Sequence, residues 1–522
     1  MDLIGDRTLR DLLEEKVALC PERELLVFED RDGAIERYTY REFDTRVNQV
    51  ANGLLAEGMK REEKVVVHLP NSPAFLLTWF ALAKIGAVMV PTNTANTAAE
   101  MEYVINFSDA TTIVTEPAFM GMFGQALPRC PGIRRLFLAR ARELPAGARS
   151  WDELWQGRPA TLPPITLDNE TTAEILFTSG TTAQPKGVML THANCLWSGE
   201  RASKHVRLAP GERNLTALPC FHVNAQSISI LSTLTVGATV ILIELYSASK
   251  FWEQVRRHRA NMLSLVPALM RTIAAQPPRD TDADHAVRVS FYAINCTDKE
   301  KADFEQRFGL TLLNGYGLTE AMTIVTIAPI DGNRRWPSIG LPTLDRQVRI
   351  VDDQDREVPR RQVGELVVKG VPGRTITKGY YKNPEATAAT VKDGWLHTGD
   401  NAWMDEAGYV YFFDRKKDVI KRGAENVSAS EVEGVLMDHA AVLECAVIGV
   451  PDPIKDEAVK AFVVPRPGMA LTVDEVLAHC AGRLARFKVP QLVEIRDALP
   501  KTSIGKIEKK LLRQQEQSRA GA

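Results

Sequence analysis

Strand-length apolar runs and helical stretches of ten or more residues take turns through the first three hundred residues of this chain. That alternation is what most constrains its fold. Thr8 to Ala18 has helical spacing and LLVF follows as a strand. A helix over Tyr40 to Glu57, the strand KVVVHL, a helix over Pro73 to Lys84 and the strand AVMVP come next. Such a pattern favours layered α/β architecture with largely parallel strands, because a helix is the usual way to carry the chain back to the start of a neighbouring parallel strand. With 522 residues the chain exceeds what one core ordinarily fills, so at least two domains are expected. Asp109 to Pro164, richer in Arg, Pro and small residues, is expected to wrap the surface. After Pro337 short alternating strands such as QVRIV, GELVVKG and YVYFFD lie between Gly, Pro and Asp turns, which suggests a small antiparallel sheet or barrel packed on the α/β body. From about Lys417 another α/β pattern begins, with helices over Ser430 to Asp438 and Val473 to Leu484, strands CAVIGV and AFVVP, and a polar tail. The charged run DRKKD suits a solvated hinge, which places the boundary near Arg415 to Asp418 and gives domains of 1–416 and 417–522.

Charge and composition exclude several classes of function. A formal net charge of -2 offers no electrostatic attraction for nucleic acid. The 7 cysteines are scattered without a CxxC pair, so neither a disulfide frame nor a zinc site is suggested, and a reducing cytoplasm fits them. The start MDLIGDRTLRDLLEEK carries acids early and lacks the pattern of a secretion signal. Two apolar runs, Ala74 to Val90 and Ile228 to Ile243, are interrupted by glycine and read as a buried helix, a turn and a strand, so no transmembrane segment is expected.

Five stretches carry candidate chemistry. Thr178 to Gly187 reads TSGTTAQPKG, with two glycines, four hydroxyl side chains and a lysine, and can fold backbone N–H groups around phosphate oxygens. It is not a Walker A loop, since Lys186 is followed by Gly187, and a flexible surface loop is the alternative. YGLTE, from Tyr316 to Glu320, offers an aromatic to stack on a base and a carboxylate to hold magnesium, or else a turn into a helix. In WLHTGD, Asp400 could accept ribose hydroxyls or simply close a Gly-Asp turn. DRKKDVIKRGAE presents Arg415 within an otherwise solvated run, and KTSIGKI presents Lys506 on a loop.

Taken in order, TSGTTAQPKG, LPCFH, YGLTE, GELVVKG, GWLHTGD, DRKKDVIKRGAENVS and PKTSIGKI resemble the motif set of the adenylate-forming superfamily of acyl-CoA synthetases over nearly the whole chain. The resemblance implies a large N-terminal domain and a small mobile α+β lid. It also implies an acid–thiol ligase using ATP, Mg2+ and coenzyme A: a carboxylate attacks the α-phosphate, and after the lid turns the thiol attacks the acyl-adenylate. By the same resemblance Thr178, Ser179, Gly180, Thr181, Thr182 and Lys186 cradle the phosphates, and Tyr316 stacks on adenine. Thr319 touches the α-phosphate, Glu320 ligates magnesium, and Asp400 and Arg415 grip the ribose. Lys417 is the pivot and Lys506 bridges the carboxylate and α-phosphate. Gly423, Ala424 and Glu425 line the pantetheine tunnel, while His222 gates an acid pocket bounded by Val223, Asn224, Asn295 and Gly317.

A narrower resemblance, carried by MDLIGDRTLRDLL, AEILFTSGTT, ALMRTIAAQPP, RRWPSIG, DEAVKAFVV and RFKVP, implies a crotonobetaine- or carnitine-type acid. Such an acid calls for a carboxylate or an aromatic, for which Trp79, Trp197, Trp252 and Trp336 are available; a fatty acid calls for an apolar tunnel, which Ile228, Ile230, Leu231 and Leu234 could line. Fatty or aromatic acids, and a carrier protein in place of coenzyme A, are the alternatives. A silent nucleotide-binding scaffold is disfavoured because Lys186, Glu320, Asp400, Arg415 and Lys506 are all present. Two departures from the family pattern are Ala424, where glycine is usual, and the loop Ala293, Ile294, Asn295, Cys296, Thr297, which is usually Gly-rich.

Overall fold

The computed structural model describes residues 2–178, 184–293, 296–416, 418–422, 425–452, 456–501 and 507–520, with Glu425, Asn426 and Ala520 described by their backbone only. Helix starts follow local capping chemistry. Thr8 and Thr39 each accept from the N–H three residues on, and the acid there, Asp11 or Glu42, accepts from the cap's own N–H, fixing the helices Leu9–Leu19 and Tyr40–Ala56. Ser72 caps Pro73–Ile85, which ends on Gly86 at φ 73. All thirteen residues of that helix are buried, as an apolar run on every face requires. Its one charge, Lys84, is neutralised by Asp44 at 2.6 Å and Glu14 at 2.9 Å and donates to Asn48. No described helix is long and apolar enough to cross a membrane.

Two sheets form the body. One runs Gly379–Tyr380, Lys186–Thr191, Thr172–Thr178, Val88–Pro91, Lys64–Val67, Ala110–Thr115, Arg135–Leu138, Arg149–Ser150. The other runs Leu341–Pro342, Thr323–Ile327, Leu312–Leu318, Val289–Ala293, Met262–Leu265, Arg213–Thr216, Thr239–Ile243, Glu24–Glu29, Ile35–Thr39. Their centres are parallel, as the alternation of helix and strand predicts. Helices Pro73–Ile85 and His192–His205 fill the space between them, with residues of both sheets in one core. Two further cores cover the outer faces, giving helices and sheets in five layers.

Against the sequence reading, Asp109 to Pro164 does not simply wrap the surface. Ala110–Thr115 pairs with Lys64–Val67 inside the sheet, and Trp151 and Leu154 are buried. The charged flanks disguise a six-residue buried strand. The run beginning at Ile228 is helical, yet Ala225–Leu231 is a π-helix before the turn at Gly237, φ 74, and the strand Thr239–Ile243. Nor is the end of the chain a mere polar tail, because Lys509–Ala520 forms a helix anchored by the buried Leu512.

A small antiparallel sheet built on Gln347–Val351, Gly364–Lys369, Trp395–Met404 and Val410–Arg415 packs beside Tyr316. A fourth sheet, with Val442–Asp452 and Asp456–Pro465 at its heart, makes a separate C-terminal unit with its own core. One carboxylate ties that unit to the body. Asp414, 2% exposed at the end of Val410–Arg415, accepts from the Ser430 N–H at 3.1 Å and the Ser428 hydroxyl at 3.2 Å, at the start of helix Ala429–Met437.

Candidate active site

The strand Leu312–Leu318 delivers Tyr316 to the C-terminal edge of the second sheet, where it turns through Thr319–Ala321 into the antiparallel strand Thr323–Ile327. Ligands of open α/β sheets bind at such edges. The Tyr316 hydroxyl donates to Asp400 Oδ2 at 2.6 Å. Arg415 Nε lies 3.6 Å from Asp400 Oδ1, because Asp400 and Arg415 face each other across two antiparallel strands. Gly399, at φ 71, sits just before Asp400 where the strand Trp395–Met404 slips in register against Gly364–Lys369, a bulge that glycine accommodates. Burial raises the Asp400 carboxyl above its usual value, with Arg415 and the Tyr316 hydroxyl pulling it back. Burial and then the neighbouring Asp400 push the Tyr316 phenol well above its ordinary range, so it stays a donor. The outcome is a buried carboxylate, 8% exposed, presenting an acceptor beside an aromatic ring and a guanidinium.

Thr178 and Lys186 pair in register at the ends of the antiparallel strands Thr172–Thr178 and Lys186–Thr191. Ser179, Gly180, Thr181 and Thr182 lie outside the described residues. Lys186 Nζ sits 4.8 Å from the centroid of the Tyr380 ring. The Tyr380 hydroxyl donates to Glu320 Oε1 at 2.8 Å. One tyrosine thus brings the loop's lysine and the carboxylate of YGLTE together. Sequence reasoning did not single it out, although the aromatic pair after Gly379 was the available signal.

Of the residues expected to bound the acid pocket, His222 has its ring 4.8 Å from that of Phe221. Val223 packs against the main core, and Asn224 precedes the π-helix Ala225–Leu231 and accepts from the Ser264 hydroxyl at 2.7 Å. Gly317 is exposed, and a Cβ there would meet Thr323 O at 2.0 Å, so only glycine fits. Asn295 and Ile294 lie outside the described residues. Thr297 caps the helix Asp298–Phe308, and Cys296 sits by Tyr292 with its thiol pushed by burial to about 11.

The tryptophans face elsewhere: Trp79 and Trp197 belong to the main core, Trp252 stacks on His285 at 4.7 Å, and Trp336 bonds Asp298. Ile230, Leu231 and Leu234 are core residues between the sheets, and Ile228 is buried in the core of the second sheet. Lys417, Gly423, Ala424 and Lys506 lie outside the described residues, as does the side chain of Glu425, whose strand Glu425–Ser428 pairs with Val419–Arg422.

No group of three or more His, Cys, Asp or Glu that could hold a metal occurs among the described residues. The single carboxylate of Glu320, flanked by hydroxyls, is instead the hard oxygen donor that suits a magnesium ion sharing its shell with phosphate and water.

The family model described as AMP-binding enzyme matches residues 13–381, and that described as AMP-binding enzyme C-terminal domain matches 431–506. A crotonobetaine/carnitine–CoA ligase of Escherichia coli O45:K1 is 40% identical over 520 residues, covering 98% of this chain and 100% of its own. Among solved structures, the anthranilate CoA ligase AuaEII in complex with anthranoyl-AMP superposes with a TM-score of 0.91 at 25% identity, over 99% of this chain and 98% of that one. ATP-bound MatB from Rhodopseudomonas palustris gives 0.86 at 28% identity, over 98% and 99%.

Proposed function

The chain belongs to the AMP-binding enzyme family and is an AMP-forming acid–CoA ligase, and on that footing we propose which residues carry each step and which acid it takes. The observation that carries the assignment is the convergence of Tyr316, Asp400 and Arg415 at one strand edge, together with Lys186 and Glu320 on Tyr380. Asp400 accepts the ribose hydroxyls, its acceptor oriented by the Tyr316 hydroxyl, while the Tyr316 ring meets adenine and Arg415 reaches the ribose from the opposite strand. Thr178, Ser179, Gly180, Thr181, Thr182 and Lys186 surround the β- and γ-phosphates, and Thr319 reaches the α-phosphate.

Glu320 would hold Mg2+, which supplies positive charge to the crowded phosphates. Lys506 spans the attacking carboxylate and the α-phosphate, stabilising charge that grows in the transition state. After pyrophosphate leaves, the unit beyond Lys417 turns, bringing Gly423, Ala424 and Glu425 to the thiol's path, and His222 opens the acid pocket to it. Free thiols at all seven cysteines suit a reducing compartment, and we place the reaction in the cytoplasm.

The 40% identity over the full chain supports a crotonobetaine- or carnitine-type acid. Purified protein with ATP, magnesium and coenzyme A, offered crotonobetaine, carnitine, γ-butyrobetaine, octanoate, palmitate and benzoate, is expected to release AMP and thioester on the betaines. AMP without thioester would identify a carrier protein as the acceptor. Lys506→Ala is expected to abolish adenylation while sparing thioester formation from supplied acyl-adenylate; equal loss of both would overturn its role.

A further inference from the structure

We propose that the ring of Phe291 closes the acid pocket from below, so that this ligase takes short acids and Phe291 sets their length. The inference rests on the reading of His222, Val223, Asn224 and Gly317 as the surroundings of the acid.

The strands Met262–Leu265, Val289–Ala293 and Leu312–Leu318 run side by side, with Ser264 opposite Phe291, Phe291 opposite Leu313, and Ala293 opposite Gly315. Residues in register share a face, so Ser264, Phe291 and Leu313 form one row, and Ala293 and Gly315 form the next row towards the strand ends. The upper row is nearly bare: it carries a methyl group and a hydrogen. The row beneath is filled. Phe291 is 2% exposed and packs with Ile228, Met262, Leu313 and Ile324 in one continuous core.

Its ring also reaches upward. A Cβ placed on Gly315 would meet Phe291 Cε2 at 2.5 Å and Cζ at 3.1 Å, so the ring lies under the glycine and fills the space that a side chain there would take. At the same level the Ser264 hydroxyl donates to Asn224 at 2.7 Å, joining the sheet to the residue that leads into the π-helix. Ring and polar pair together make a floor. Below it the residues expected to line a fatty-acid tunnel are packed: Ile228 against Phe291, and Ile230, Leu231 and Leu234 in the main core.

Gly317 lies two residues beyond Gly315, about 7 Å along a strand, which is the length of an extended chain of roughly five or six heavy atoms. An acid whose carboxyl reacts near Gly317 therefore meets Phe291 with its far end at that length. A four-carbon acid bearing a terminal quaternary ammonium fits this depth and would set its cationic head against the aromatic ring. Octanoate does not fit.

The test is a chain-length series (butanoate, hexanoate, octanoate, decanoate, with γ-butyrobetaine) assayed by AMP release for the full chain and for Phe291→Ala. Wild type is expected to lose at least 100-fold in kcat/KM between the best acid of up to six carbons and octanoate. Phe291→Ala is expected to move the optimum two to four carbons longer while leaving the KM for ATP within threefold. Phe291→Leu, which keeps more of the buried volume, carries the test if the alanine variant does not fold, with a smaller shift in the same direction. Octanoate turned over as well as butanoate by wild type, or an unchanged length profile in a folded variant, would overturn the floor. No AMP from any acid would instead overturn the ligase assignment of the site, and the floor with it.

Discussion

The proposed nucleotide side and the proposed acid side of this site are built on opposite plans. On the nucleotide side, polar groups hold one another: Tyr316 bonds Asp400, Arg415 faces it, and Tyr380 joins Glu320 to Lys186. On the acid side a bare shelf of Ala293 and Gly315 stands over a packed ring, with one polar pair at its edge. The contrast is that between a ligand whose charges never change and one whose shape does. On the proposed reading, phosphate and ribose would be met by preorganised donors and acceptors, whereas an acyl group would be measured by the space left for it.

The largest test of that division is Asp400→Ala. Loss of a buried, hydrogen-bonded carboxylate costs about 2–3 kcal/mol of nucleotide binding, so KM for ATP should rise by roughly 100-fold. KM for the acid should stay within threefold; a parallel rise would erase the distinction. Tyr380→Phe keeps the ring beside Lys186 and deletes only the donor to Glu320, so kcat for pyrophosphate release should fall by about tenfold, as for one hydrogen bond to a charged group. An unchanged kcat would show Tyr380 to be a spacer. Asn224→Ala should raise KM for the acid by roughly fivefold, the worth of about one neutral hydrogen bond, and leave ATP untouched.

The smallest effect on turnover is expected at Glu174, which stands between the two sides. It lies on the strand Thr172–Thr178, next to Gln226 of the π-helix, and is 0% exposed. Burial raises its carboxyl to about 8. In the unfolded chain the proton leaves near 4.5, so between that pH and about 8 the folded state binds the extra proton and stability falls as pH rises. Glu174→Gln removes the loss. It should stabilise the protein by up to about 3 kcal/mol at pH 7, a gain that fades towards pH 4.5, with kcat and both KM values unchanged. Melting temperature across pH 4.5–8 is the measurement; a pH-independent difference would mean that the proton is not the cause.

How much of this was legible in the sequence follows the same division. Tyr316, Glu320, Asp400 and Arg415 stand in contiguous motifs, so each could be singled out from its own sequence neighbours. The alternation of helix and strand gave the layered body for a comparable reason, since each period is written locally. Tyr380 and Phe291 were not singled out. Their partners are far away in sequence, and only the pairing of Gly379–Tyr380 with Lys186–Thr191, or of Phe291 with Leu313 and Ala293 with Gly315, places them. The π-helix was hidden because its apolar spacing reads as an ordinary helix, and Ala110–Thr115 because charged neighbours masked a buried strand.

Asp414 has a consequence for how the two units move. The carboxylate belongs to the body, but the helix start it satisfies, Ser428 to Ser430, belongs to the C-terminal unit beyond Lys417. The proposed turn about that point would take this acceptor from the Ser430 N–H and leave water to replace it, at a cost of about 1 kcal/mol, while Ser428 goes on capping the helix. The joint therefore has a detent. On the proposed rotation the small unit would leave a seat held by the Asp414 carboxylate and by the Phe413 carbonyl, which accepts from the same Ser428 hydroxyl at 2.9 Å, so the motion we propose is stepped rather than free.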